Sequence, residues 1–157
     1  MSRKFFCLLR VHLVLAAIMM SNSNGTEAEM AKKSTTLNDG GRCVYCSYEG
    51  SAEILRIKQT PASRAQSEIH GGPRYEGYEV WFHFRPELDY SLDRIKTIII
   101  RDHLLTLDNG WYVGSCYLEK YGIKAGKVFP CTLKVIEKGT CTPVVFEFES
   151  VDLKDYF

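Results

Sequence analysis

The 157-residue chain carries 20 Lys and Arg against 19 Asp and Glu, and 45% of its residues are hydrophobic. That balance fits one small globular domain. Lacking clustered positive charge, it offers no electrostatic footprint for nucleic acid.

Residues 1–23 are set apart from the rest. Arg3, Lys4 and Arg10 stand in a head without acidic residues, VHLVLAAIMM supplies a short apolar run, and small, polar SNSNG follows. This is the pattern of a secretory signal peptide, with the cut expected near Ser23 or Gly25. The run is too short to cross a bilayer, which takes roughly twenty apolar residues. The competing reading is an uncleaved anchor starting near Phe5, which Arg10 interrupts. Cys7 lies in the basic head, a poor place for lipidation, and leaves with the signal. Cleavage removes three basic residues and no acid, leaving 17 basic against 19 acidic residues and five cysteines. Residues 24–41 lack apolar periodicity and read as a disordered leader. Residues 42–157 then form a single β-rich domain, periplasmic or secreted, with no stable membrane insertion after signal cleavage.

Within that domain the period is two. Residues 52–59 (AEILRIKQ) read as a strand closed by Thr60-Pro61. Gly71-Gly72-Pro73 marks a loop. In EGYEVWFHFRP, Tyr78, Val80, Phe82 and Phe84 alternate with Glu79, Trp81, His83 and Arg85, so the first set belongs in a core and the second faces outward. Pro86 ends that ladder. Two short strands are expected over 95–100 and 104–107, separated by a bulge or break at Arg101-Asp102-His103. A short helix is expected in VGSCYLEKYGI, capped by Ser115 and stopped by a left-handed Gly122. The closing hairpin turns at Lys138-Gly139, with Leu133 facing Val144 and Ile136 facing Cys141. That register puts Cys131, Leu133 and Val135 on one face with Val144, Phe146 and Phe148. It leaves Cys141 on the other face, out of bonding reach of Cys131. The fold expected is mainly β or α+β: a small five- to six-stranded barrel or roll with one short helix. The oligonucleotide/oligosaccharide-binding type of five-stranded barrel is the first topology.

Cys43-Val44-Tyr45-Cys46 admits three readings. A redox couple needs a helix after the first thiol, and Ser47-Tyr48-Glu49-Gly50 does not extend one. Zinc needs a second ligand pair at similar spacing; Cys116 stands alone and Cys131 and Cys141 are ten apart. In an exported chain the structural reading leads: Cys43, Cys46, Cys116, Cys131 and Cys141 are all disulfide candidates, two bridges are expected, and Cys141 bonds Cys43 or Cys46. No metal ligand set and no cofactor is assigned.

Hydrolase, zincin and phosphate-loop signatures do not occur. Asp102 and His103, adjacent on a strand, point to opposite faces, and outward acids such as Glu79, Glu147 and Glu149 are ordinarily solvated, so no catalytic residue is assigned. The candidate binding face is the outward stripe Trp81, His83 and Arg85, where an indole and a guanidinium can stack on rings or sugars and grip an anion. Against it stands the possibility that Trp81 roofs a small second core. The sequence therefore predicts an exported, disulfide-stabilised, non-catalytic binding or accessory domain. Its partner is a protein or a small-molecule or saccharide ligand, not nucleic acid. A thiol-disulfide oxidoreductase using Cys43 and Cys46 and a small metal-binding protein are the alternatives.

Overall fold

The computed structural model describes residues 34–35, 43–87 and 93–155. The expected signal peptide, most of the expected leader, and Cys7 fall outside the described residues. The strands are β1 (Ser34–Thr35), β2 (Val44–Lys58), β3 (Glu79–Pro86), β4 (Asp102–Leu105), β5 (Val128–Lys138) and β6 (Val144–Phe148). Short helices occupy α1 (Pro61–Ala65), α2 (Asp93–Ile99) and α3 (Ser115–Lys120), with a 3-10 turn at Gln66–Glu68. The sheet has the order β4-β3-β2-β5-β6, antiparallel at every step, and curls into a half-barrel; β1 adds two residues beside β2. This is a small β-barrel or roll, as expected, left open between β4 and β6 among the described residues.

β2 organises the sheet. Its fifteen residues pair with β5 from Val44 to Glu53 and with β3 from Gly50 to Lys58, so one strand joins the two halves. The strand expected from residue 52 therefore begins eight residues earlier. Ser47, Gly50 and Ser51 weaken β-propensity there, but Gly50 is required by packing. A Cβ at that position would lie 2.3 Å from the Arg85 carbonyl oxygen and 2.7 Å from the Phe84 ring. A bulge between Ile54 and Arg56 lets Arg56 face Trp81 while Ile54 stays in the core.

The alternation expected in β3 is present: Val80, Phe82 and Phe84 are buried and Tyr78 is half-buried. They meet Ile54, Leu105, Leu133 and Cys131 in one core that also takes Val113 and Tyr117. The strand expected over 95–100 is not formed; those residues belong mostly to α2. Ile95, Ile98 and Ile99 recur at helical spacing, with Ile95 buried and the other two packed against the core, while Ile100 beyond them is 72% exposed. In α3 the cap is Gly114 rather than Ser115, which is the first helical residue; Gly122 takes the expected left-handed φ of 59°.

The β2–β3 connection is held by a buried amide. Gln66 donates from Nε2 to the carbonyls of Tyr75 (3.4 Å) and Tyr112 (3.2 Å), and its Oε1 accepts from the Tyr112 N–H at 2.9 Å. Gly77 lets the chain pass: a Cβ there would lie 2.5 Å from Gln66 Nε2. Gln66→Leu, which keeps the volume but leaves these backbone groups without partners, should lower stability by about 2 kcal/mol, read as a lower urea midpoint with unchanged slope.

Candidate functional site: a slot between two strand edges

The closing hairpin keeps the predicted face but not the predicted register. Val135 faces Val144, Leu133 faces Phe146 and Cys131 faces Phe148. The slip is two residues, which preserves sidedness. Its cause lies in the turn, where residues 139–143 separate the strands: the Ile136 N–H donates to the Pro143 carbonyl at 2.9 Å, and Cys141 is drawn toward β2.

As a result Phe146 and Phe148 lean over the concave face. Phe82 of β3 stands edge-on to both, with ring centroids 5.1 and 5.3 Å away. His103 of β4 lies 4.5 Å from Phe146 and 5.6 Å from Phe82. His103 Nε2 sits 2.9 Å from the Ile98 carbonyl oxygen, which can only accept, so Nε2 is the donor there and Nδ1 is the ring's other nitrogen. Above this aromatic floor is a cavity of about 500 Å³, closed at one end by Leu107 and Leu153, where the Asp108 N–H donates to the Leu153 carbonyl.

Consecutive residues line both long sides, 103–107 on one and 144–146 on the other. On a strand, consecutive side chains point to opposite faces, so the cavity meets the strand edges rather than one face of each. Which backbone groups face it follows from the ladders. The Glu87 N–H bonds the Glu49 carbonyl, so odd-numbered residues of β3 direct their backbone at β2 and even-numbered ones at β4. Phe82 and Val80 therefore pair with His103 and Leu105, and the N–H and C=O of Leu104 point into the gap. On β6, the bonds from Ile136 to Pro143 and from Glu149 to Pro130 turn Val145 and Glu147 toward β5 and leave Val144, Phe146 and Phe148 with outward backbone groups. Among the described residues, Asp108 is the one carboxylate lining the cavity, and no Lys or Arg lines it.

Trp81, His83 and Arg85 share the convex face of β3, as expected. Trp81 Nε1 donates to Glu79 Oε2 at 3.1 Å, and the Arg56 guanidinium lies 4.6 Å from the indole centroid. Arg56 also reaches Asp102 at 3.2 Å, Asp102 lies 3.6 Å from His83 Nδ1, and Arg85 bonds Glu53 at 2.6 Å. The Thr60 hydroxyl, and after it the Trp81 indole, hold the Glu79 carboxyl below the usual range. The stripe is thus a ladder of neighbouring charges that satisfy one another. Asp102 and His103 do point to opposite faces: Asp102 joins this ladder and His103 the slot.

Cys43 is bonded to Cys141, tying the start of β2 to the hairpin turn across 98 residues of sequence. The Tyr45 hydroxyl adds a bond to the Thr142 carbonyl at 2.9 Å. Cys43 and Cys46 are therefore not a couple, and Cys46 is buried within a strand with no helix following it. The two expected bridges reduce, among the described residues, to one. Cys131 is buried opposite Gly50, and desolvation, with Glu147, Glu49 and Glu149 adding to it, pushes its thiol up to about 12. Cys116 is exposed on α3. Iodoacetamide at neutral pH should therefore alkylate Cys116 within minutes and leave Cys131 unmodified until denaturant is added, as peptide mass spectrometry can read.

No helix among the described residues is long and apolar enough to cross a membrane. The described residues hold no group of three or more His, Cys, Asp or Glu placed to share a metal ion. Compared with protein-family models, with curated protein sequences and with solved structures, the chain matches none, so the functional reading rests on geometry.

Proposed function

We propose that this protein is an exported, disulfide-stabilised binding or accessory domain without catalysis, and that its ligand lies in the slot between β4 and β6. The observation that carries the reading is the aromatic-floored cavity of about 500 Å³. Its size is within the range of ligand pockets, and a few polar groups converge on apolar walls. His103 Nδ1, the outward backbone of Leu104 and Phe146, and Asp108 supply those groups. The Cys43–Cys141 bridge supports the exported half of the reading, because such bonds persist in oxidising compartments.

The test is a fluorescence titration with 1-anilinonaphthalene-8-sulfonate, whose emission rises in apolar sites. Wild type should bind it saturably, and Phe146→Ala, at a half-buried ring of the floor, should weaken binding at least tenfold with secondary structure retained. Equal binding by both proteins would contradict the reading. A second reading keeps recognition on Trp81, His83 and Arg85, because the Arg56–Trp81 stack is half-exposed and already fixed, so a ring or saccharide would order little on arrival. There Trp81→Ala would abolish ligand binding and Phe146→Ala would not.

A further inference from the structure

The five long strands alternate in direction. Because each neighbouring pair is antiparallel, β4, β2 and β6 run one way and β3 and β5 the other. The two edges left unpaired among the described residues, those of β4 and β6, are therefore parallel to each other. Direct closure would need a parallel pair. One additional strand, antiparallel to both edges, would close an all-antiparallel barrel. The slot presents what such a strand pairs with: Leu104 backbone groups on one wall and those of Val144, Phe146 and Phe148 on the other.

We propose that the slot's ligand is an extended segment of a partner protein, which inserts as a sixth barrel strand between β4 and β6. This rests on the slot being the binding site and names its occupant. A strand inserted there places alternate side chains on the floor of Phe82, His103, Phe146 and Phe148 and the intervening ones toward solvent. The four residues of β4 and five of β6 give it a paired length of about 13–17 Å at roughly 3.3 Å per residue. Its direction is set as well. Running antiparallel to β4, it brings its N-terminal end to Asp108, just beyond the C-terminal end of that strand. The Asp108 carboxylate then meets a basic side chain at the start of the segment.

A second copy of this chain fits the slot poorly. Its edge strands already carry β3 or β5 on one side, and a gap with an edge on each wall accepts only a lone strand. The chain's own residues 24–33, NGTEAEMAKK, place Glu27 and Glu29 ahead of Lys32 and Lys33, the reverse of the order that would bring a basic side chain to Asp108.

The experiment uses a panel of blocked heptapeptides with Val, Leu, Phe or Ala at alternate positions, Thr between them, and one Lys at either end. Displacement of 1-anilinonaphthalene-8-sulfonate from the purified protein reports binding. At least one N-terminal-Lys peptide should displace the dye and bind at least threefold tighter than its C-terminal-Lys counterpart, and Asp108→Asn should erase that preference. N-methylation of the amides facing the walls should cost at least tenfold. Leu104→Pro removes an N–H that faces the slot and spares the β3–β4 ladder, so it should cost at least tenfold more in peptide affinity than in dye affinity; Leu104→Ala, which keeps that N–H, should hold peptide affinity within about threefold. If the dye binds and no peptide displaces it, or N-methylated peptides bind equally, the strand proposal is overturned and the cavity reading stands. If the dye does not bind, both fall. A dimer in sedimentation that peptide dissociates would give the slot to a second copy. Tighter peptide binding after deletion of residues 24–33 would give it to the chain's own leader. Either result overturns the partner assignment.

Discussion

Replacing Cys43 and Cys141 together by Ser should lower stability by about 3 kcal/mol, and the melting temperature by roughly 10–15 °C. The bond closes a loop spanning 98 residues. Chain-entropy arguments give about 4.7 kcal/mol for a 100-residue loop, and measured effects usually fall between 2 and 4. The closure acts at the ends of strands: Cys43 precedes the first residue of β2, and Cys141 sits in the five-residue turn between β5 and β6. A reductant should bring wild type down to the level of the double variant and leave the variant unmoved. Non-reducing peptide mapping should recover the Cys43–Cys141 pair. A Cys43–Cys46 pair, or an unchanged melting temperature, would contradict the staple.

Phe82→Ala should cost about 4 kcal/mol, roughly 15–20 °C in melting temperature. Phe82 is 1% exposed and lies where the core becomes the slot floor, against Phe146, Phe148 and His103. Its removal leaves a cavity continuous with the slot, so the loss should appear in stability first and in dye affinity as the floor collapses. Phe146→Ala should separate the two effects. Its ring is only half-buried, so it should cost about 1–2 kcal/mol while weakening the dye at least tenfold. If Phe82→Ala is nearly as stable as wild type, the core is not built around β3 as described here.

Much of the architecture was legible because β3 alternates so cleanly. Val80, Phe82 and Phe84 declared a core face, and Trp81, His83 and Arg85 an outer one, before any partner strand was known. The hairpin was legible as a face but not as a register, since a two-residue slip changes every partner and no side. Lys138-Gly139 looked like the turn only because the sequence does not display what Cys141 and Pro143 do to the ladder. The Cys43–Cys141 bond was one of two pairings that the face argument allowed. Residues 95–100 were misread because a run of isoleucines satisfies a strand and a helix equally; what decides is that Ile95, Ile98 and Ile99 have a core to meet on one side. The first half of β2 was hidden by Ser47, Gly50 and Ser51; of these, Gly50 is needed for a close approach to Arg85 and Phe84 visible only in three dimensions.

The slot was not legible at all. It arises from strands that stand far apart in the sheet order, Phe82 of β3 and His103 of β4 against Phe146 of β6, and from backbone groups left over once the ladders are counted. No local pattern records either. The nearest sequence signal is that Phe146 and Phe148 share a face with Val144, which marks apolar side chains but not the gap they adjoin. The outer stripe attracted attention because its residue types can bind ligands; three dimensions add the counter-charges Glu53, Asp102 and Glu79 that already engage it.

The most direct measurement is an amide shift map by two-dimensional NMR during titration with 1-anilinonaphthalene-8-sulfonate. The account predicts that the largest changes fall on 103–107 and 144–148, the two walls of the slot, with small changes on the outer stripe and on the β2–β5 ladder around Ser47 and Thr132. Changes centred on Trp81, His83 and Arg85, with the two walls unmoved, would contradict it.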